Sequence, residues 1–382
     1  MGLVVLSDVT EVASPEEVAA GRLDDDKIER LAGYMRVHGC ALLAGGVVPT
    51  RVLEQLAPRF EFDTAYRYLD ALKKSGGGDT TVPCLGGSKI PGHGSARLPR
   101  AAPWVFPEIV ANPLIEQVVA ATLGPRPYLN VYGGNLNFPG SGTQELHMDG
   151  VWHYSSQEAA SAAGVGWPPP PHQVIAQICP TGSTILSGAT EVWPGSHLVT
   201  ELASVNKFVD GSSTRDRYAA AGKARASQHP PMRLEIPVGA VAFRDNRLFH
   251  RGVPNTGHSP RPMLGLQYAS RAVRDDLFAN STKLRSRLPP DQVPTDNNGN
   301  KISPEDRHVI FEDSDACRSA FATPSLFGVD RNVAFIPGPL DYDGNPGELP
   351  MELPPIARGI ELPKWLRDYI DRQQTGTRGA AL

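Results

Sequence analysis

Hydrophobic periodicity divides the chain into a helical first third and a strand-rich middle. Over Asp24–His38, Ile28, Leu31, Ala32 and Met35 fall on one face, acidic residues crowd the first turn and Gly39 follows, which predicts a helix with a defined stop. Val52, Leu53, Leu56 and Phe60 repeat that spacing after Pro49, predicting a second helix over 49–60. A third is expected from Asn112-Pro113, through Leu114, Val118 and Ala121, to Gly124-Pro125. The polar, glycine-rich stretch Lys73–Arg97, with Gly92-His93-Gly94 inside it, reads as a long mobile loop over one face.

From Tyr128 the period becomes two. Tyr128–Tyr132 alternates, Gln173–Cys179 is a short apolar run, and Glu191-Val192-Trp193 leads into a turn at Pro194-Gly195-Ser196. Leu234 and Ile236, then Ala240–Phe243, flank Pro237-Val238-Gly239 and read as a hairpin whose second strand delivers the loop holding His250. Met263–Tyr268 is a further strand. Short strands separated by turns suggest a double-sheet β-roll of the kind that includes cupins. Two insertions, 155–171 and 200–231, are placed to shape a binding mouth. After Arg271 the chain is irregular and proline-rich, then an amphipathic helix carries Trp365, Leu366, Tyr369 and Ile370; the last eight residues read as frayed. Without an internal repeat or a clear linker, one elaborated domain is expected. It comprises 1–125 as a mostly helical support, 126–272 as the β core, and 273–382 as a C-terminal extension.

Composition narrows the partners. A formal net charge of −4 gives no electrostatic reason to expect nucleic acid. No apolar run reaches the length of a membrane span, and the first ten residues lack a basic leader, so a cytoplasmic protein is expected. Cys40, Cys84, Cys179 and Cys317 stand far apart and read as ordinary thiols.

The chemistry concentrates in Gln144–Tyr154. If His147-Met148-Asp149 is a strand, its imidazole and carboxylate share a face and can reach one ion. A second histidine would complete a facial triad of two His and one carboxylate, and His250 is available in Arg244–Gly252. Eleven residues after His250, Arg261 opens a strand, where a guanidinium could pair with a carboxylate ligand. With ten histidines in the chain, His-x-Asp alone is weak; the three pieces in order are stronger.

Together with Gly188-Ala189-Thr190 and Pro194-Gly195-Ser196-His197, these pieces resemble the phytanoyl-CoA dioxygenase family of iron(II)/2-oxoglutarate oxygenases, over roughly 128–268. The resemblance implies a mainly β, α+β fold with a double-stranded β-helix (jelly roll) core. It implies that His147, Asp149 and His250 hold iron(II), that Arg261 binds the remote carboxylate of 2-oxoglutarate, and that dioxygen takes the remaining position. Gln144, Thr190 and Asn135 are candidate cosubstrate contacts. Gly252 departs from the family, which often has a hydroxyl residue there, so that one hydrogen bond is absent or supplied elsewhere. Asp149 keeps the carboxylate whose loss would open a halide site.

Trp152, His153, Tyr154 and Arg244 are candidates for the substrate mouth, each with a bland alternative as an aromatic cluster or a paired surface arginine. His197 reads as a turn-stabilising side chain. The substrate is expected to be a small molecule, a secondary metabolite or an amino-acid-like compound, with the oligomeric state open. Two other readings stand: a cupin-type metalloenzyme without 2-oxoglutarate, and a non-catalytic binding relative. In the first, Arg261 has no role.

Overall fold

The computed structural model describes residues 3–74, 90–96, 106–125, 127–150, 152–203, 220–225, 230–270, 353 and 362–375. The irregular stretch after Arg271, the frayed terminus and most of the 200–231 insertion lie outside them. The N-terminal helices form where their caps are. In α1 (Pro15–Ala20), the Ser14 hydroxyl accepts from the Glu17 N–H while the Glu17 carboxylate accepts from the Ser14 N–H. In α2 (Asp25–His38), Asp24 caps the start and Gly39 closes the end at φ 76°.

The next helix, α3 (Thr50–Lys74), outruns the expected end at Phe60. Pro58 lies inside it and removes one backbone donor. Beyond the proline, Ala65, Tyr68, Leu69 and Leu72 are all buried, and that apolar stripe sustains the helix. The short α4 (Pro107–Val110) precedes α5 (Pro113–Leu123), whose cap Asn112 accepts from the Leu114 and Ile115 N–H groups.

Strands β1 (Thr10–Val12), β2 (Cys40–Ala44), β3 (His93–Ala96), β4 (Tyr128–Asn137), β5 (Gln173–Ile178), β6 (Thr190–Val192), β7 (Met232–Leu234), β8 (Val241–Asp245), β9 (His250–Arg251) and β10 (Arg261–Ala269) build two sheets. Seven strands run in the order β1-β2-β8-β5-β10-β4-β3, and three in the order β7-β6-β9. Apart from the parallel β1–β2 pair, all pairings are antiparallel. One face of the large sheet packs on the helices through residues such as Leu136, Ile178, Phe243, Leu264 and Leu266. Its other face meets the small sheet through Leu42, Cys179, Ala242, Met263, Val192 and Leu234. This is a mainly β, jelly-roll core with flanking helices.

Two expectations are corrected. Leu234 and Ala240–Phe243 do not form a hairpin: β7 pairs with β6 in the small sheet, while β8 pairs with β2 and β5 in the large one. The turn at Pro237, with Gly239 at φ 82°, hands the chain from one sheet to the other. The expected loop Lys73–Arg97 contains β3, which pairs with β4 and extends the large sheet by one strand. In the 155–171 insertion, α6 (Gln157–Ala162) forms under a Ser156 cap. The late helix, α7 (Lys364–Thr375), buries Trp365, Leu366 and Tyr369. Trp365 meets the rings of Tyr68 and Phe138 at 5.4 and 5.6 Å, and Arg372 pairs with Glu61 of α3.

Candidate metal centre

The chain around His147 is not a full strand, but its backbone is pinned along the segment that carries His250. Gln144 N–H donates to Gly252 O at 2.8 Å, His147 and His250 exchange both backbone bonds at 3.0 Å, and Asp149 N–H donates to Asn246 O at 3.0 Å. His250 lies in β9 and pairs with Val192 of β6, so the His147 segment extends the small sheet's edge. Met148 turns away into an apolar cluster with Trp152, Trp193 and Phe249, leaving His147 and Asp149 to face inward. The Pro-Gly-Ser-His turn braces this arrangement: the Ser196 hydroxyl accepts from Phe249 N–H at 2.8 Å.

Three donor atoms converge there. His147 Nε2 is 3.8 Å and His250 Nε2 3.4 Å from Asp149 Oδ1, and all three lie within 4.8 Å of one another. His147 Nδ1 meets Glu145 O at 2.7 Å and His250 Nδ1 meets Leu248 O at 3.0 Å. The Glu145 carbonyl accepts, so His147 Nδ1 carries the proton and its Nε2 offers a lone pair to the centre; His250 Nδ1 lies between the Leu248 carbonyl and the donating Arg244 guanidinium. Burial, followed by the charge of His250, pushes His147 down to about 4, a neutral imidazole fit for a metal. Burial would raise Asp149, but His250 and Arg244 together hold its carboxyl well below the usual range. Two imidazoles and one carboxylate on one face suit iron(II) with open positions.

Arg244, expected at the mouth, is buried in β8 and reaches Asp149 Oδ2 at 2.5 Å and His250 Nδ1 at 2.9 Å. It backs the donor set. Arg247 is paired with Asp245 and stacks over Trp152 at 4.8 Å. Trp152 is buried, 5.7 Å from the Trp167 ring. His153 and Tyr154 are half-buried and meet edge to face at 4.6 Å. His197 is buried, its Nε2 meeting Arg36 O at 3.1 Å, which fits a side chain that holds a turn.

Arg261 opens β10 on the face toward the small sheet. It is 4% exposed, and Nη2 donates to Gly188 O at 3.3 Å, while Nε and Nη1 are buried with no hydrogen-bond partner among the described residues. A buried guanidinium with donor atoms left over can take a carboxylate. Asn135 lies on the same face and is exposed there, across from Met263. Thr190 shares its face with Val192 and hence with His250. Gln144 spends its Oε1 on the Gly252 N–H at 2.8 Å. Sequence reasoning missed Asn137, wholly buried beside Arg261, whose Nδ2 donates to Val253 O at 3.0 Å. It also missed His93.

Residues 94–263 match the family model for phytanoyl-CoA dioxygenase (PhyH), a span that contains the three donors and Arg261. Over that span the chain is similar to the phytanoyl-CoA dioxygenase family. Its enzyme class is that of iron(II)/2-oxoglutarate-dependent oxygenases, with iron(II), 2-oxoglutarate and dioxygen as cofactors. Among solved structures, AviO1 from Streptomyces viridochromogenes Tue57 is 20% identical, covering 65% of this chain and 96% of that one at TM-score 0.41. The iron-bound EctD from S. alaskensis is 18% identical, covering 66% and 78% at TM-score 0.41. The α-ketoglutarate-dependent epimerase SnoN from nogalamycin biosynthesis is 15% identical, covering 65% and 82% at TM-score 0.39. At this distance they carry no argument, and the family match stands on its own. Among the described residues no helix is long and apolar enough to cross a membrane.

Proposed function

We propose that this phytanoyl-CoA dioxygenase relative oxidises a C–H bond of a small, partly apolar molecule, with His147, Asp149 and His250 as the iron ligands and Arg261 as the anchor for 2-oxoglutarate. Iron(II), with 2-oxoglutarate and dioxygen, supplies the oxidising chemistry when bound. The protein's part is to hold the donors and position the substrate. His147 and His250 present fixed Nε2 atoms, and Arg244 occupies Asp149 Oδ2 so that Oδ1 faces the centre.

The observation that carries the reading is Arg261, which buries two donor atoms that have no hydrogen-bond partner among the described residues, a cost that a bound carboxylate would remove. A cupin-type metalloenzyme would leave that cost unexplained, and so would a binding relative. Thr190 and Asn135, on the faces that meet between the sheets, are proposed as further cosubstrate contacts, with Gln144 fixing the segment that carries His147. His153 and Tyr154, with Trp152 behind them, are proposed as the substrate wall; this aromatic surface favours a secondary metabolite or amino-acid-derived compound. The packing of α7 on Tyr68 and Phe138 supports one elaborated domain.

The test is an anaerobic visible titration of metal-free protein, first with iron(II) and then with 2-oxoglutarate. A charge-transfer band that needs both additions is expected, absent in His147→Ala and weakened in Arg261→Ala. Iron binding with no band on adding 2-oxoglutarate would move the protein to the cupin-type reading.

A further inference from the structure

Pairing register sets three polar side chains in one row across three strands of the large sheet. His93 of β3 lies opposite Asn137 of β4, and Asn137 opposite Arg261 of β10. Directly opposed residues share a face, so His93 stands on the Arg261 side, facing the space between the sheets. Its segment is anchored there. Phe138 N–H donates to Gly92 O at 2.9 Å, Gly142 N–H to Pro91 O at 3.0 Å, and His93 Nε2 to Gly142 O at 2.7 Å. The imidazole is 5% exposed; burial lowers its pKa, and the charges of Arg261 and His147 lower it further against the Gly142 carbonyl. It is therefore a fixed ring on the Arg261 face of the large sheet, within electrostatic reach of Arg261 and His147.

The opposite wall shows how tightly that ring is fitted. A Cβ on Gly252, two residues after His250, would stand 2.6 Å from His93 Cε1 and 2.6 Å from Gln144 Oε1. Glycine at 252 is thus what admits the His93 ring, and the ring occupies volume that a side chain at 252 would otherwise fill.

We propose that His93 is a specificity-determining residue for the cosubstrate: its ring is the wall that limits the length of the 2-oxo acid anchored on Arg261. The proposal rests on the cosubstrate reading above. It extends that reading to a residue one position outside the family match, from a strand that had read as loop.

The experiment is equilibrium binding by titration calorimetry to protein loaded with Mn(II), which binds O and N donors without turnover in air. The two ligands are 2-oxoglutarate and 2-oxoadipate, which is one methylene longer. Wild type should favour 2-oxoglutarate by about tenfold or more, the scale of one methylene in a fitted pocket. In His93→Ala the preference should fall to within about threefold. His93→Gln, which keeps a donor for Gly142 O, guards against a folding defect and should fall between. Gly252→Ala should weaken 2-oxoglutarate about tenfold when His93 is present and much less in the His93→Ala background. An unchanged preference in both His93 variants would overturn the proposal, and so would a Gly252→Ala penalty indifferent to residue 93. If Mn(II)-loaded wild type bound neither acid, the cosubstrate reading itself would fall, a result distinct from either of these.

Discussion

Two buried arginines, on either side of β9 in sequence, occupy opposite electrostatic situations. Arg247, in the loop between β8 and β9, is fully buried and fully engaged. Its Nε and Nη2 donate to the two oxygens of Asp245 at 3.1 and 2.7 Å, Nη1 donates to Pro169 O at 3.1 Å, and its plane lies over Trp152. Burial would raise Asp245, but Arg247 holds it down to about 2. Arg261 is buried to nearly the same degree, yet two of its donor atoms have no hydrogen-bond partner among the described residues. Neutralising a buried charge from within makes structure; leaving one short of partners makes a binding site, because the missing acceptors must arrive with a ligand.

The sharpest way to break the comparison is Arg247→Met. It leaves Asp245 buried and unpaired and is expected to cost about 3–5 kcal/mol in urea unfolding. Arg261→Met should do the reverse. Stability should hold or rise, while 2-oxoglutarate binding to Mn(II)-loaded protein weakens about 100-fold, roughly 2.7 kcal/mol. Equal stability losses in both variants would erase the distinction.

A smaller effect comes from His197, which adjoins the Arg247 side. Burial pushes it down to about 4 against an ordinary 6.5, with Asp245 working against the shift. The unfolded chain therefore takes up a proton below pH 6.5 that the folded chain refuses until near pH 4. This stability is intact above pH 6.5 and is lost as pH falls through that window. On going from pH 7.5 to 5.5, wild type should lose about 1.4 kcal/mol more than His197→Gln, measured by urea midpoints.

The same contrast explains what was legible in the sequence. α2 and α5 could be read because their caps, Asp24, Gly39, Asn112 and Gly124, are local signals. The donor triad could be read because a metal demands particular side chains at particular spacing. What escaped depended on distant pairing. The extent of α3 was hidden by Pro58, whose cost is offset by burial that only the tertiary fold reveals. The sheet switch after β7 was hidden because two strands beside a tight turn look like a hairpin whichever sheets they join. His93 was hidden because β3 is glycine-flanked, without alternation, and becomes a strand only against β4, some forty residues on. The pairing of Arg244, a candidate for the substrate mouth, was hidden because nothing local shows that Asp149, far upstream, folds onto it.

The ring cluster of Tyr68, Phe138 and Trp365 has a consequence for biosynthesis. Phe138 directly follows Asn137, the middle member of the polar row, and it packs against Trp365 of α7, far downstream in the chain. As the ribosome works through the middle of the chain, both sheets are already available but Tyr68 and Phe138 still lack their indole neighbour. A nascent chain stalled before Leu362 would leave Tyr68 and Phe138 without that indole behind the row that holds Arg261, a natural place for a chaperone to wait until α7 emerges.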